Sequence, residues 1–576
     1  MNITGIEEAH KAVLANMTPR ARELDRLERY VDGEQYAGRP SFWDRTVPLQ
    51  ERAPCIRYKI VAAAIASNVD LVLGEGRYPE ASTHPDENDA SFDESGLDEK
   101  SSEVLDRGLL ELQRQTRLRS VAKETLTQAQ GCGTAVAICG VRAGGRLFVD
   151  TVRAKWCERV ADVDGRVTRL VIQYPYTVTE KQPDGSWKIR TKLFRREIDA
   201  ERDVTMLPAD ASEDGRAQID WKPDPAQTVE HGLGFCPVVW YAHLRGCAAV
   251  DEVDGKAIHA LCTSEIEAHD FAISMRHRAA LYAGDPQLCE FGVEPGFNPG
   301  QGGRTPGIPS TASGGAVGKP GTANEATGRY VVPTQGARKK GVSEAWQYPD
   351  KESRAEYLIL PPDALKALDD DAHDLRQKLA EALSVVFLDP ENAKLVATLS
   401  GKSIEMLRER QLNRCDQIRD DFGDGFLLPV LCVLLRIVYV TTTAGGALRL
   451  PGAKKLATIL GRFAGEAPPP ADGDAEPVAP APAATWTDPY ITLKWGAYFK
   501  ADAEAEGKIV DAVVKAKAAN VITRRMAVEK LKPVFNIGNV DQAVKALEKE
   551  IEEHASLEAA IDAMKTGDAD GDEAAA

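Results

Sequence analysis

The chain has 576 residues, of which 43% are hydrophobic, and its formal net charge is −17. A prior of roughly 150 residues per domain predicts three or four folding units. The acidic balance argues against a protein that wraps duplex DNA tightly, because such binding requires a basic surface that displaces counterions. It is compatible with DNA that passes without binding, and equally with the ordinary role of net charge in solubility.

The ten cysteines form no CxxC pair and have no histidine cluster beside them, which predicts buried free thiols and no zinc site. The first residues, MNITGIEEAHKAVL, carry acids early and lack an apolar core, so we expect no signal peptide. The most apolar run, 426–440, contains Pro429 and Arg436 and is too short to span a bilayer. It predicts a buried helix, a soluble intracellular chain and no membrane partner.

The N-terminal half predicts helices followed by strands. Apolar residues recur at helical spacing in 5–31, 59–73 and 102–129. From 133 to 243, short apolar runs alternate with turns such as AGG, VDG and PDG, a pattern that predicts an antiparallel β region. Helical spacing returns at about 251–283, where we expect a long helix.

The C-terminal half predicts helices interrupted by two tracts that cannot bury a core. The tract 295–328 is rich in Gly, Pro, Ser and Thr, and 464–485 is a Pro/Ala-rich linker that we expect to be extended and semi-stiff. Between them, a helix at about 362–386 has an apolar stripe of leucines, with the DDDAHD segment on its outer face. Further helices are predicted at 401–422, 426–442, 501–519, 522–531 and 539–560, with short strands at 329–333, 355–360 and within YITLKWGAY.

Two features could be mistaken for ligand sites. SGKS at 400–403 is similar to the end of a phosphate-binding loop, but Val396 occupies the position that requires glycine, and no strand precedes it. The three acids at 369–371 point in different directions on a helix and cannot close on one metal ion. Since GxSxG, HExxH and strand-borne GxGxxG motifs are also absent, we expect no enzymatic activity, no metal and no cofactor.

Two short basic clusters flank the Gly/Pro-rich tract, MRHR at 275–278 and ARKK at 337–340. One interpretation is ordinary solvent-exposed charge. The other is contact with DNA phosphates at one end of a channel, since the clusters would be close in space if the flanking helices are antiparallel. The cations concerned are Arg276, Arg278, Arg338, Lys339 and Lys340.

The order of the elements and four stretches of sequence carry a family resemblance. DRLERYVDGEQY at 25–36 ends a helix in a glycine-marked turn, and RYKIVAAAIASNVDLVLGEG at 57–76 is an apolar helix with trailing glycines. LRQKLAEALSVVFLDPENAKLVATLSGKSIEML at 375–407 joins a helix, a Pro-containing loop and a helix that opens on SG. ITLKWGAYFKADAEAEGKIVDAVVKA at 491–516 joins a strand to an acid-starting helix. In this order, these stretches resemble the portal proteins of tailed phages, in the SPP1-like branch.

The resemblance implies an α+β, portal-type fold with a mixed α/β wing, a two-helix stem, a small clip, a tunnel loop and a C-terminal helical crown. It divides this chain into an N-terminal wing at 1–250, stem helices at 251–283 and 351–386, a clip at 284–350, a tunnel loop at 387–400, wing helices at 401–463, the linker at 464–485, a wing strand at 486–500, the crown at 501–560 and an acidic disordered tail at 561–576. The tract at 295–328 and the linker depart from the family's pattern.

The resemblance also implies a function. Portal subunits form a ring, usually of twelve copies, at one capsid vertex of the virion, and they assemble in the host cytoplasm. They pass double-stranded DNA without sequence preference and contact the terminase large subunit, head-completion or adaptor proteins, and the major capsid and scaffolding proteins. The tunnel-loop residues that would face DNA are Phe387, Asp389, Glu391, Asn392, Lys394 and Thr398. Two alternatives stay open: a minor head or tail-adaptor protein without a DNA channel, and a packaging ATPase, which the SGKS spacing disfavours.

Overall fold

The computed structural model describes residues 11–83, 97–163, 165–181, 187–211, 219–244, 253–284, 287–291, 354–358, 362–386, 401–464, 486–498, 503–519, 523–535, 543–545, 547–549 and 551. These residues mix α-helices with antiparallel strands, in agreement with the predicted α+β class. Contacts divide the chain into two units. The first unit comprises 1–32, 61–260 and 383–576, and the second comprises 33–60 and 261–382.

Among the described residues, the helices and strands follow the predicted order. The strand predicted at 329–333 and most of the helix predicted at 539–560 lie outside the described residues. The helices are α1 (Pro19–Asp32), α2 (Ile60–Leu73), α3 (Glu99–Thr116), α4 (Leu118–Cys132), α5 (Thr263–Gly284), α6 (Pro362–Leu383), α7 (Gly401–Phe422), α8 (Leu428–Thr443), α9 (Ala453–Leu460), α10 (Ala503–Ala518) and α11 (Arg524–Phe535). The strands are β1 (Glu80–Ser82), β2 (Thr134–Arg142), β3 (Arg146–Val152), β4 (Cys157–Ala161), β5 (Val167–Lys181), β6 (Trp187–Ile198), β7 (Arg202–Thr205), β8 (Ala209–Asp210), β9 (Val229–Glu230), β10 (Val238–Ala242), β11 (Gln287–Phe291), β12 (Arg354–Leu358) and β13 (Thr492–Lys494).

Two predicted helices of the first unit are broken by single residues. The helix expected at 5–31 is interrupted before Pro19, because Thr18 caps α1 by accepting a 3.1 Å hydrogen bond from the backbone of Ala21. The helix expected at 102–129 divides into α3 and α4 at Arg117, whose φ is 54°. A left-handed residue cannot continue a right-handed helix, so the chain turns there.

The antiparallel β region predicted at 133–243 is confirmed. One sheet has the strand order β10-β2-β3, and a larger one has the order β4-β5-β6-β7-β9, with β8 paired to β6. The long ribbon of β5 and β6 keeps its register from Leu170↔Ile198 to Lys181↔Trp187. One apolar core cluster joins α1 to strands of both sheets. It includes Leu24, Leu27, Val136, Ile138, Leu170, Ile172, Ile198, Val238 and Trp240.

The long helix predicted at 251–283 begins only at Thr263, so that prediction is wrong at its N-terminal end. The segment before it forms contacts that a helix would not allow. Asp254 pairs with Arg20 at 2.6 Å, and an added Cβ on Gly255 would lie 2.2 Å from a backbone oxygen. These long-range contacts outweigh the local helical spacing of the sequence.

Within the first unit, β13 pairs antiparallel with β1, far from it along the chain. Just beyond β13, the guanidinium of Arg419 on α7 lies 3.7 Å from the ring centroid of Tyr498 and donates a 2.9 Å hydrogen bond to the Gly496 carbonyl. The backbone at Gly496 approaches Gly76 so closely that a Cβ would lie 2.1 Å from its carbonyl oxygen. The cation of Arg419 stacked on Tyr498 and the close backbone contact between Gly496 and Gly76 together fix this segment.

The two flanks of the Pro/Ala-rich linker lie next to each other. The Thr487 amide donates a 2.8 Å hydrogen bond to the Phe463 carbonyl, so the two ends of the tract are side by side. Trp486 lies against Tyr439 of α8, with ring centroids 5.6 Å apart. The interior of the tract, 465–485, lies outside the described residues. Its ends therefore close a loop instead of separating two domains.

Helices α7 and α8 are continuous through a π-helical turn at Gly423–Leu427. The predicted buried helix at 426–442 is confirmed, since its apolar residues from Val430 to Tyr439 are largely buried. By length and composition, the stretch Arg408–Thr443 is one helix among the described residues that could cross a membrane, and half of its most apolar window is buried inside the protein.

Candidate functional site

The second unit contains a helix–strand–strand–helix element. Helix α5 is followed by β11, β12 is followed by α6, and the two strands pair antiparallel from Gln287↔Leu358 to Phe291↔Arg354. This pairing places the two ends of the tract 292–353 next to each other, because Phe291 and Arg354 are direct partners. The excursion between the two helices therefore starts and ends at one short ribbon.

Helix α6 is shorter than the second stem helix predicted at 351–386. Residues 354–358 form β12, and α6 begins at Pro362, which has no amide hydrogen and suits the first turn of a helix. The helix ends at Leu383, because Ser384 has a φ of 53°. The short strand predicted at 355–360 is confirmed, and its partner is β11.

Helix α6 has two chemically different faces, as its sequence predicts. The apolar stripe is turned inward: Leu379 is fully buried, and Ala372 and Leu383 are nearly so. The opposite face is exposed and acidic. Its exposed titratable side chains are His373, five acids and two lysines, Lys378 being paired with Asp374 at 2.7 Å. The acids are Asp363, Asp370, Asp371, Asp374 and Glu381, and the other lysine is Lys366. Carboxylates in this arrangement repel phosphate groups, and the helix has a solvated face rather than a metal site.

The basic cluster on α5 is not free charge. Arg276 pairs with Asp369 of α6 at 2.8 Å, although both side chains are partly exposed, at 50% and 37%. Arg278 is half-buried and has contacts of its own. The ion pair joins the two helices, so the charge of Arg276 is already engaged within the helix pair. Exposed pairs of this kind contribute roughly 0–1 kcal/mol.

A buried carboxylate holds the N-terminal segment of the unit on α5. Asp270 is fully buried, and it accepts hydrogen bonds from the Tyr36 hydroxyl at 3.0 Å, the Gln35 amide group at 3.1 Å and the Tyr58 backbone at 3.0 Å. One turn further along α5, the Ser274 hydroxyl accepts from the Ile56 backbone at 3.0 Å. Buried carboxylates are stable only when their oxygens are hydrogen-bonded, and this one is.

The sequence did not predict that residues 33–60 pack on α5 through Asp270; the family resemblance assigned them to the wing. The signal was present in α5, where Asp270 follows Ile266 by one helical turn on the buried face. An acid at that position requires partners, and the aromatic-rich turn after Gly33 supplies them. The partner segment could not be identified from spacing alone, because more than 200 residues separate Asp270 from Tyr36.

A second buried polar cluster lies in the first unit. The Tyr241 hydroxyl donates a 2.6 Å hydrogen bond to Asp421, and His243 Nδ1 lies 2.9 Å from the same hydroxyl oxygen. Asp421 also accepts from the Leu244 backbone at 2.9 Å. Burial, with a smaller effect of the Arg414 charge, lowers the pKa of His243 to about 3, so the imidazole is neutral near pH 7. The cluster ties the end of β10 to the end of α7.

Most of the described cysteines are held as buried thiols. Burial raises the pKa of Cys132 and of Cys157 to about 12, so these thiols stay protonated and unreactive. Among the described residues, no group of three or more His, Cys, Asp or Glu side chains could hold a metal ion. Most of the described thiols are buried, as the sequence predicts, whereas Cys55 is exposed.

Most of the residues predicted to meet DNA lie outside the described residues. They are Phe387, Asp389, Glu391, Asn392, Lys394 and Thr398 of the tunnel loop, together with Arg338, Lys339 and Lys340. Only Arg276 and Arg278 of the predicted set can be placed, and both are on α5. The loop is bracketed by α6, which ends at Leu383, and by α7, which begins at Gly401.

The chain was compared with known proteins. No protein-family model matches it, and no curated protein matches it.

Proposed function

We propose that this chain is the structural subunit of a portal, a ring-shaped DNA channel at one capsid vertex, and that it has no catalytic role. The observation that carries the proposal is the second unit. Two helices joined at their ends by a short ribbon, with an excursion beyond it, are the stem and clip that the resemblance implies. In this proposal, α5 and α6 are the stem, and the tract 292–353 extends the clip.

The charges of α6 suit a channel that DNA crosses without sticking. Exposed acids on α6 would disfavour static phosphate contacts, and the pairing of Arg276 with Asp369 removes one cation from the same surface. Lys394 in the tunnel loop would touch the DNA backbone weakly and without reading its sequence. The terminase would supply the motor, and head-completion, capsid and scaffolding proteins would be further partners, in the virion and in the host cytoplasm during assembly.

The first prediction concerns assembly. The purified full chain should form large rings, because a portal subunit presents two different lateral surfaces that close on each other by rotation. Negative-stain electron microscopy viewed down the particle axis, with mass measurement in solution, tests this. A chain that stays monomeric at every concentration would refute the portal proposal.

The second prediction concerns the loop between α6 and α7. Deleting Asp389–Ala397 should leave ring assembly intact and abolish DNA packaging, measured as nuclease-protected DNA in an assembly reaction. A matched control removes the same number of residues, nine, from the tract 465–485. The flanks of that tract stay joined by the Phe463–Thr487 hydrogen bond. That control should form rings and package normally. Rings that package normally without Asp389–Ala397 would favour the minor head or tail-adaptor alternative.

A further inference from the structure

Three segments of the first unit bring cations to one corner of its surface. The Gln115 side chain donates a 3.0 Å hydrogen bond to the Arg449 carbonyl, and the Arg449 amide donates a 2.8 Å hydrogen bond to the Gly145 carbonyl. A Cβ on Gly144 would lie 3.8 Å from the guanidinium of Arg449. Arg449 therefore joins the α3–α4 junction, the β2–β3 turn and the segment that leads into α9.

These segments carry basic residues and no acids, although the whole chain has a net charge of −17. The ranges 112–123, 140–149 and 425–465 contain no Asp or Glu at all. We define the basic corner as five exposed side chains in them. They are Arg117, Arg146, Arg449, Lys454 and Lys455.

The cations of the basic corner have no acidic partner within the described part of the chain. Nearby acids are occupied elsewhere: Asp150 pairs with Arg142 at 3.0 Å, and Glu111 faces Arg114 at 3.9 Å. This contrasts with the β5–β6 ribbon, where Lys192 lies 2.6 Å from Glu180, Arg190 lies 3.5 Å from the same carboxylate, and Arg195 pairs with Glu197 at 2.6 Å. The basic corner is thus a concentration of uncompensated positive charge.

Local stability does not explain why Lys454 and Lys455 are there. Lys454 and Lys455 stand in the first turn of α9, where the helix dipole disfavours positive charge. Arg117 differs, because it ends α3 in a left-handed conformation that is common where a helix ends, and the carbonyl end of α3 favours a cation there. Helix α9 has no side-chain cap at its N-terminus, so its backbone amides add to the positive potential around Lys454 and Lys455.

We propose that the basic corner binds the phosphate backbone of duplex DNA without reading its sequence. Arginine and lysine side chains beside uncapped helix N-termini are the donors that phosphate groups accept. The site lies in the first unit and is distinct from the predicted tunnel loop, so it goes beyond the proposed channel. It would hold DNA statically, whereas the acidic face of α6 suits DNA in transit.

The competing occupant is an acidic protein surface, such as the α6 face of a second copy. Protein interfaces have an apolar, desolvated centre. None of the large exposed apolar side chains of the described residues lies within 112–123, 140–149 or 443–465. The cations instead stand on glycine-containing turns and helix ends, which leaves their charged groups hydrated. This favours polyelectrolyte binding over a packed protein contact.

The test is the salt dependence of binding by the purified full chain. Anisotropy of a labelled duplex of about 30 bp, titrated from about 50 to 300 mM NaCl, gives the slope of log K against log salt. The double variant Arg117→Gly with Arg449→Ala should reduce that slope by about 2, and weaken binding about 50-fold at roughly 100 mM NaCl. Glycine at 117 also relieves the left-handed strain, so this variant should fold at least as well.

The control removes two cations that are already ion-paired, Arg26→Ala with Arg190→Ala, for the same change in net charge. Its slope should match that of the unchanged chain. The inference is overturned if the corner variant keeps the full slope, if the control loses as much, or if the unchanged chain fails to bind duplex at the lowest salt. A corner variant that changes particle mass but not the slope would assign the corner to a second copy. A monomer that shows the predicted slopes would refute the ring and keep this inference.

Discussion

Asp270→Ala should destabilise the second unit by about 3–5 kcal/mol, the largest effect that we expect from a single side chain. The substitution leaves the Tyr36 hydroxyl, the Gln35 amide and the Tyr58 backbone N–H without their shared acceptor. Buried donors without partners incur their full desolvation cost. Segment 33–60 should then separate from α5, with strongly increased amide hydrogen exchange in both and an earlier urea transition.

A matched control is Asp371→Ala, which removes the same charge from an exposed position of α6. It should shift the transition by less than about 0.5 kcal/mol, as is usual for surface substitutions. Tyr36→Phe provides an intermediate case, because Asp270 keeps two of its three donors. Equal behaviour of Asp270→Ala and Asp371→Ala would show that the buried carboxylate does not hold the segment.

Gly496→Ala should release the segment that follows β13. The added methyl would lie 2.1 Å from the Gly76 carbonyl oxygen and 3.0 Å from the Cα of Arg77, and neither backbone atom can move aside as a flexible side chain could. We expect a loss of roughly 3 kcal/mol or more, since the segment must shift and Arg419 then loses its contacts with Tyr498 and the Gly496 carbonyl. Limited proteolysis should show new cleavage between residues 491 and 498.

Gly445→Ala is the control for this substitution. Gly445 has a φ of 76° and no atom within 4 Å of an added Cβ, so the change tests conformational strain without a clash. It should cost about 1–2 kcal/mol and produce no new cleavage near β13. If both variants behave alike, close backbone approach at Gly496 is not what fixes the segment.

The local sequence pattern was sufficient to predict several helices and strands. The stripe of α6 and its acidic outer face were predicted from helical spacing, and Leu379 and Asp371 lie as expected, one buried and one exposed. The strands between 133 and 243 were recognisable because turn residues separate them regularly. In these segments the local preference and the tertiary environment agree, so the sequence alone was adequate.

The predictions that proved wrong or incomplete failed because of contacts between residues far apart in the sequence. The N-terminal end of the long helix was misplaced because Asp254 pairs with Arg20, 234 residues away along the chain. The role of residues 33–60 depends on Asp270 in the same way. Helical spacing describes neighbours within two turns and cannot report such pairings. The basic corner had a readable signal, the absence of acids from 425 to 465, but its assembly from three segments required the fold.

The hydrogen bond between Thr487 and Phe463 has a practical consequence. Because each flank of the tract 465–485 is anchored by its own contacts, the covalent connection between them is dispensable for holding the ends together. The chain could be opened at this tract to create new termini, or a fluorescent domain inserted there, with both flanks left in place. Such a reporter would label the chain at a defined point of the first unit.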